Sequence, residues 1–462
     1  MTTWATARGG TQSGACRDRQ ARALATGCAR TAGRLVQGAL LLRPPVQSLA
    51  ADASRVRVKL EPMAPEPGLE ALRRRAEELG LSPGEVRLHR LPPHALWGLA
   101  SYGLFGRYRH WSRGKAYQRL RLQGELGLQR IYELIVHTEP PQAYVLSGNR
   151  PIEDLLVTAH VLGHADFFHR SVWLRERDAG VGRRVLLHRQ RIADYACEHG
   201  QAAVEAVLDA ALLIEAHVAR YGPQDVLGAL ARLAPLEPWQ RDCLGMVREE
   251  ALYFQAQERT KIVNEGWASF WHLRILRAEE LAPSDRVDIA LLHSRLVAMA
   301  PGRLNPYALG LEILEQLAEE AGAAPGEAPR GKALEALLDL ATVADDRSLV
   351  RDWFSQRSVD RLKLVVPMPG DNVSSHVEDV RRELLRQIGG AARPSVEVEQ
   401  AVAGCTLRLR HLHDGRDLDL PDAEAVLGEV QRLWGAPVQL ETMVGGQRVC
   451  LRHDGQEMRR DG

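Results

Sequence analysis

The aromatic residues of this chain are concentrated in one part of its sequence. Nineteen of the 24 Phe, Trp and Tyr residues lie between Trp97 and Trp271. Aromatic side chains bury large areas and pack in specific geometries, so we expect the main core and the functional site in this stretch. Apolar residues recur there at helical spacing, which predicts four long helices: Ile152–His169, Arg189–Tyr221, Pro238–Ala256 and Val263–Leu281.

Charge and hydropathy exclude several classes of protein. The 60 Lys and Arg residues nearly balance the 59 Asp and Glu residues, so no global field recruits nucleic acid or an anionic membrane surface. The longest apolar run, Leu35–Leu42, is far shorter than the roughly 20 residues that a membrane span needs. The chain begins without the basic and apolar regions of a signal peptide. We therefore expect a cytoplasmic protein with no membrane span and no nucleic-acid partner.

The six cysteines are scattered and include no C-x-x-C pair. A disulfide framework or a cysteine-ligated zinc site is therefore not expected, and free thiols in a reducing compartment are the default.

Composition divides the chain into four parts. Residues 1–58 contain nine Arg and only two acidic residues, which predicts that residues 1–60 are a disordered or wrongly assigned extension. We expect a helical core domain over residues 66–320 and a linker with a helix over residues 321–350. Residues 351–462 should form a small C-terminal α+β domain. Its predicted elements are helices Val377–Ile388 and Asp422–Leu433, strand Thr406–Leu412, and a hairpin of Val438–Met443 and Gln447–Leu451 around Gly445-Gly446.

Two histidines within the first long helix form a candidate metal site. His160 and His164 are four residues apart, so they share one helix face with Cβ atoms about 6 Å apart. Two imidazoles at that spacing can bind one divalent ion. The neighbouring sequence is apolar, and a buried histidine needs a partner. Asp166 is a candidate for orienting an imidazole or a water molecule.

A second apolar helix carries a carboxylate that could complete the site. Glu265 lies between Val263 and Trp267, and His272 follows on the same face about 10 Å along the axis. His160, His164 and Glu265 together are the ligand set of a catalytic Zn²⁺ site with one open position. The predicted fold class is α+β, with a predominantly helical, zincin-like main domain and a small C-terminal α+β domain.

The general base of such a site is not obvious from the sequence. Zinc proteases of the H-E-x-x-H kind place it beside the first histidine, where this chain has Val161. Glu250 is the preferred candidate for activating water, followed by Glu249 and Asp166. Asp166 or His272 would then orient the water. These assignments define the expected catalytic residues as Glu250, Asp166 and His272.

A third segment, Tyr102–Tyr117, interleaves glycines with rings and cations. It lacks the spacing of a phosphate-binding P-loop. Two alternatives stay open for it: ordinary packing, or the lining of a site for an anionic or sugar-like ligand.

Several long motifs resemble one known family. They occur in collinear order across about residues 66–460 and are Tyr102–Lys115, His160–Phe168, Glu237–Asp242, Val247–Phe254, Lys261–His272, Asn305–Gly310 and Leu433–Thr442. In these motifs the chain resembles the stage V sporulation protein R (SpoVR) family. The resemblance implies an intracellular bacterial protein tied to spore cortex or cell-envelope formation. It also implies two potential partners, a serine protein kinase and a von Willebrand A-like protein.

Two functions of different classes follow. The first is a zinc-dependent hydrolase that acts on peptide or peptidoglycan-type amide bonds, with Zn²⁺ held by His160, His164 and Glu265. The second is a non-catalytic regulator or scaffold within a complex that contains the serine protein kinase.

Overall fold

The structure is a computed structural model, and it describes residues 5–6, 67–103, 106–175, 180–218, 225–300, 303–368, 372–389 and 393–461. Within these ranges the chain is mostly helical with three small sheets. The extension expected over residues 1–60 lies outside the described residues, apart from strand Ala5–Thr6. None of the described helices combines the length and the apolar character needed to cross a bilayer.

Seventeen α-helices occur in the described ranges. They are α1 Pro67–Glu78, α2 Pro93–Tyr102, α3 Trp111–Glu125, α4 Pro151–Arg170, α5 Val172–Arg175, α6 Val181–His199, α7 Gln201–Leu213, α8 Val226–Leu233, α9 Pro238–Arg259, α10 Lys261–Arg277, α11 Pro283–Leu296, α12 Pro306–Glu320, α13 Lys332–Val343, α14 Asp346–Trp353, α15 Gln356–Leu362, α16 Val377–Gln387 and α17 Leu420–Trp434.

Eleven strands complete the described elements. They are β1 Ala5–Thr6, β2 Arg87–Leu91, β3 Glu133–Val136, β4 Gln142–Leu146, β5 Leu364–Met368, β6 Asn372–Ser374, β7 Val396–Gln400, β8 Leu407–His411, β9 Val438–Val444, β10 Gln447–His453 and β11 Met458–Asp461.

The three sheets differ in position and topology. The first has the order β2-β4-β3, with β2 parallel and β3 antiparallel to the central β4. The second has the order β1-β5-β6 and is antiparallel. The C-terminal sheet has the order β11-β10-β9-β8-β7, in which only β8 and β9 are parallel. The α+β class is therefore confirmed, whereas the sheet between residues 87 and 146 was not expected from the sequence.

Helices α4, α10 and α12 form the centre of the main core. Helix α4 is buried on nearly all sides, as expected for a helix that is apolar all round. Its three-helix packing depends on glycines. A Cβ on Gly163 of α4 would lie 2.7 Å from the Cα atom of Ala268 on α10, and one on Gly310 of α12 would lie 2.2 Å from the carbonyl oxygen of Ile262. Helix α10 therefore contacts both α4 and α12 backbone to backbone.

Capping groups fix where α10 and α12 begin. The Asp346 Oδ1 atom accepts hydrogen bonds from the backbone N–H groups of Ile262 and Val263, at 2.8 and 3.0 Å. The Asn305 side chain accepts in the same way from the N–H groups of Tyr307 and Ala308. Both contacts satisfy helix N–H groups that have no partner within the helix.

The predicted helices agree with the structure except for one. The segment 189–221 is not a single helix, because Gly200 has a φ of 91° and separates α6 from α7. The predicted C-terminal hairpin is confirmed as β9 and β10, joined through Gly445 and Gly446. Both glycines have positive φ, as a tight hairpin turn requires.

The C-terminal sheet packs separately from the three central helices. Its buried face, together with Trp434 of α17, shares a hydrophobic core with α7, α8 and α9. In contrast, buried residues of α13, α14 and α16 belong to the same core as α4 and α10. These three helices therefore pack with the main helical body.

Candidate metal centre

Helix α4 holds two histidines against each other in the core. His160 and His164 are 2% and 5% exposed, and their ring centroids are 4.6 Å apart in an edge-to-face arrangement. The four-residue spacing places both side chains on the face of α4 that packs against α10.

Helix α10 presents Glu265 to both histidines. The Glu265 Oε2 atom lies 3.4 Å from the Nε2 atom of His164 and 3.8 Å from that of His160. The three donor atoms all lie within 4.8 Å of one another. The close contact of Gly163 with Ala268 explains this proximity, because it brings the α10 backbone directly against α4. The structure thus brings together the three residues expected to bind a metal.

The distances match a shared ion better than direct hydrogen bonds. Donor atoms about 2.1 Å from a tetrahedral Zn²⁺ lie about 3.4 Å from one another. A charge-assisted hydrogen bond would be about 2.8 Å long. Accordingly, the His160 Nε2 and Glu265 Oε2 atoms are buried without a hydrogen-bond partner among the described residues. Buried polar atoms without partners are rare, and a cation would satisfy both of these.

The charge states of the cluster suit a cation. Burial raises the pKa of Glu265, but the two histidines outweigh that effect and hold the pKa well below its ordinary value. Burial lowers the pKa of His160. The pKa of His164 is raised despite its burial, because the Glu265 carboxylate favours its protonated form. The cluster thus offers an ionised carboxylate and a neutral His160 at neutral pH.

The outer ring nitrogens are held by neighbouring side chains. The His164 Nδ1 atom lies 2.8 Å from Asn264 Oδ1, which can only accept, so Nδ1 carries a proton. In the neutral ring, the form that would bind a metal, Nε2 therefore keeps its lone pair. The His160 Nδ1 atom lies 2.9 Å from His272 Nδ1, and His272 Nε2 lies 2.9 Å from His293 Nδ1. When His160 Nδ1 donates to His272 Nδ1, and His272 Nε2 donates to His293 Nδ1, the His160 Nε2 atom also keeps its lone pair.

His272 therefore contacts the candidate metal ligand His160. It does not line the polar cavity that opens beside the three candidate ligands. Burial lowers its pKa well below the ordinary value and lowers that of His293 to about 4, so both rings are neutral. This neutrality is what a chain of imidazole hydrogen bonds requires. The structure thus places His272 in contact with His160 and not at a position from which it could orient a water molecule in the cavity.

Asp166 is part of the packing between helices. It is fully buried and accepts hydrogen bonds from the backbone N–H of Ser82 at 2.7 Å, from Trp267 Nε1 at 2.9 Å and from Arg170 at 2.8 Å. Because it follows His164 by two residues, it projects from another face of α4. The structure does not bring it together with the ligand set.

Glu250, the preferred base from sequence, is engaged elsewhere. Its Oε2 atom accepts a hydrogen bond from Arg107 at 2.5 Å, and its Oε1 atom lies 3.1 Å from His188 Nδ1. Burial raises the pKa of Glu250, but His188 and Arg107 outweigh that effect and lower it. Both oxygens thus face partners within a buried ion-pair network. Glu249, the next candidate, pairs with Arg184 and with His188.

A polar cavity of about 980 Å³ opens beside the ligand set. Its wall includes His164, Glu265 and two residues that the sequence analysis missed, Glu133 and Tyr307. Burial raises the pKa of Glu133 to about 7, and that of Tyr307 lies well above its ordinary value. Tyr307 also stacks on His160, with ring centroids 5.9 Å apart. Glu133 is the first residue of an apolar strand, and no sequence spacing relates it to His160 or His164. Its position at the same cavity could therefore be seen only from the fold.

Comparison with known proteins identifies the family. A family model described as SpoVR like protein matches residues 66–227 and 220–388, and one described as SpoVR-like C-terminal domain matches residues 404–445. The chain is 26% identical over 433 residues to a protein of Escherichia coli K12 named "Uncharacterized protein YcgB", covering 74% of this chain and 84% of that protein. No solved structure matches the chain. Since the family matches extend over well more than half of the sequence, the chain belongs to the SpoVR family.

Proposed function

We propose that this protein is a metal-dependent hydrolase in which His160, His164 and Glu265 hold Zn²⁺. The observation that carries the proposal is a cluster of three donors at metal-sharing distances, two of whose atoms are buried without a partner among the described residues. Two histidines and one carboxylate are the ligand set of catalytic zinc sites that keep one position open. The adjoining cavity supplies that open side.

The strand beside the cavity favours a peptide-like substrate. Strand β3 pairs with β4 on one side only, so it forms an edge of its sheet among the described strands. Its residues Glu133, Leu134 and Ile135 line the cavity. An edge strand can bind an extended peptide through main-chain hydrogen bonds. This supports peptide or peptidoglycan-type amide bonds as substrates and, with the ligand chemistry, a zincin-like core.

Glu133 takes the role of general base in this proposal, in place of Glu250. A bound Zn²⁺ would polarise the amide carbonyl and lower the pKa of the attacking water. The Glu133 carboxylate accepts a proton from that water as the C–O bond forms. It returns the proton to the leaving nitrogen as the C–N bond breaks, which yields a carboxylic acid and an amine. Tyr307, beside Glu265, would donate a hydrogen bond to the polarised carbonyl oxygen.

Elemental analysis of the purified full chain tests the metal. We expect about one zinc per chain in the wild type and little in H160A, H164A and E265Q. H411A is a matched control, because His411 is similarly buried (6% exposed) but pairs with Thr442 in the C-terminal sheet. The proposal is wrong if the wild type binds no divalent metal, or if H160A retains as much as H411A does.

Hydrolysis of a peptidoglycan-type peptide panel tests the reaction. We expect E133Q to keep its zinc but to lose about 10²-fold or more in kcat, the usual contribution of a general base. E250Q, if it folds, should keep its zinc and most of its kcat. A zinc-loaded protein that cleaves nothing would instead favour the regulatory or scaffold alternative, with the kinase and the von Willebrand A-like protein as the partners to test by pull-down.

A further inference from the structure

The glycine- and cation-rich segment Tyr102–Tyr117 lines the same cavity as the metal ligands. Tyr102, Gly103, Arg107 and Arg113 contribute to the cavity wall that also contains Glu265. Of the two alternatives left open by the sequence, packing or site lining, the structure thus favours a part in the site for these residues. What this wall could bind depends on which of its charges already have partners.

Arg113 is a buried cation with unused hydrogen-bonding capacity. It is 8% exposed, and its Nε atom has no hydrogen-bond partner among the described residues. One Nη atom donates to the Tyr102 carbonyl at 3.4 Å, and the guanidinium lies 4.9 Å from the ring centroid of Tyr108. A guanidinium has five N–H donors and is always charged. Burying it with no carboxylate in direct contact is costly, which points to a contact supplied by a ligand.

Lys261 adds a second cation close to the ligand set. It lies one helical turn before Glu265 on α10, so both side chains project from the same face, and both line the cavity. Within the described part of the chain, no carboxylate lies within 4.0 Å of either Lys261 or Arg113. Three carboxyl groups are farther away but feel these charges. Arg113 acts on Glu250, which Arg107 and His188 already bind, and on Glu215, whose pKa is raised by burial. Lys261 acts on Asp346, whose pKa is raised to about 8 by burial.

The other two cations of the wall, and the carboxylates of Glu258 and Glu397, have ion-pair partners. Arg107 is bound to Glu250, and Arg393 lies 3.3 Å from Glu258. Glu397 lies 3.0 Å from Arg410. These pairs leave Arg113 and Lys261 as the cations of the wall that are available to a bound molecule.

We propose that Arg113 and Lys261 form an anion-binding subsite, so that the substrate carries a carboxylate close to the bond that is cleaved. This inference rests on the proposed hydrolase function and specifies its substrate class: acidic peptides, with the carboxylate either at the chain end or on a side chain. Charge-assisted hydrogen bonds to a buried guanidinium supply the affinity and fix the position of the substrate. Lys261, which is exposed, attracts the same group at the cavity mouth.

A pair of metal-binding probes tests the subsite on the zinc-loaded full chain. N-hydroxypropanamide binds through its hydroxamate alone, whereas N-hydroxysuccinamic acid carries a carboxylate in addition. Longer homologues of the acid vary its reach. We expect at least one acid to bind about tenfold or more tightly than the uncharged probe, from one charge-assisted contact. In R113Q and K261M this preference should fall below about threefold, with affinity for the uncharged probe unchanged.

Control variants distinguish a loss of the anion-binding subsite from a loss of metal binding or of folding. K115M removes an exposed lysine of the same segment that does not line the cavity, and its preference should equal that of the wild type. K261M covers the case in which R113Q does not fold. A wild type that takes up no zinc overturns both the hydrolase proposal and the subsite. Normal zinc uptake with equal affinity for both probes, or with a preference that persists in K261M and R113Q, overturns the subsite alone.

Discussion

The contact between α10 and α12 at Gly266 and Gly310 is the most sensitive point of the central packing. A Cβ atom on Gly310 would lie 2.2 Å from the Ile262 carbonyl oxygen and 2.7 Å from the Gly266 Cα atom. The shorter distance is 1.2 Å below the 3.4 Å at which ordinary contact begins. Because both neighbours are backbone atoms, no side chain can rotate away. The substitution G310A therefore requires the two helices to separate by about 1 Å.

The expected cost follows from this separation. Overpacking of a filled core costs roughly 1–3 kcal/mol, and we take about 3 kcal/mol because the obstruction is backbone. A gap of about 1 Å also removes a quarter to a half of the dispersion energy of each contact that it opens. Alanine in a helix interior stabilises the folded chain by about 1 kcal/mol relative to glycine, which offsets part of this cost. We thus expect G310A to lower the free energy of unfolding by about 2 kcal/mol.

Urea unfolding followed by circular dichroism measures this change. The matched control is G245A, since Gly245 is also inside a helix, is exposed and has open space where the Cβ atom would lie. G245A should raise stability by about 0.5–1 kcal/mol. G310A should also weaken zinc binding, because Glu265 precedes the displaced Gly266 directly. A G310A protein as stable as G245A, with unchanged zinc affinity, would refute this account of the helix contact.

Three further outcomes are expected. Burial raises the pKa of Asp346 to about 8. Between about pH 4 and 8 the folded chain then binds one more proton at Asp346 than the unfolded chain does, so the free energy of unfolding falls as the pH rises. The urea midpoint of D346N should fall less over this pH range than that of the wild type. R107M leaves the buried Glu250 carboxylate without its cation and should cost about 3–5 kcal/mol by urea unfolding; a cost below 1 kcal/mol would contradict the pairing. D166A removes the acceptor of Trp267 and should lower stability by about 3 kcal/mol, yet full zinc content by elemental analysis is expected.

Local geometry accounts for the part of the site that could be predicted from sequence. The pairing of His160 with His164 depends only on the helical repeat, and so does the placement of Lys261 relative to Glu265. The hairpin around Gly445-Gly446 depends only on turn chemistry. Such features need no knowledge of which elements are neighbours.

Features that depend on helix contacts could not be predicted in this way. The preference for Glu250 as base could not take account of Arg107, which lies 143 positions away in sequence and binds the Glu250 carboxylate. Glu133 became a candidate only because the β2-β4-β3 sheet places its edge strand at the cavity. The helix predicted over residues 189–221 failed for a different reason. Its apolar spacing is continuous, but Gly200 has a positive φ and ends the helix there.

If His160, His164 and Glu265 hold a metal as proposed, the close backbone contact of α4 with α10 bears on which ion they select. Moving such closely packed helices apart or together costs packing energy, so the donor atoms attached to them favour an ion of one size. Calcium prefers bond lengths of about 2.3–2.6 Å and six to eight oxygen ligands, so it would have to push these helices apart. Smaller borderline-soft cations need no such displacement. The glycines of the helix crossings would then act as a size filter for the cation, although none of them touches it.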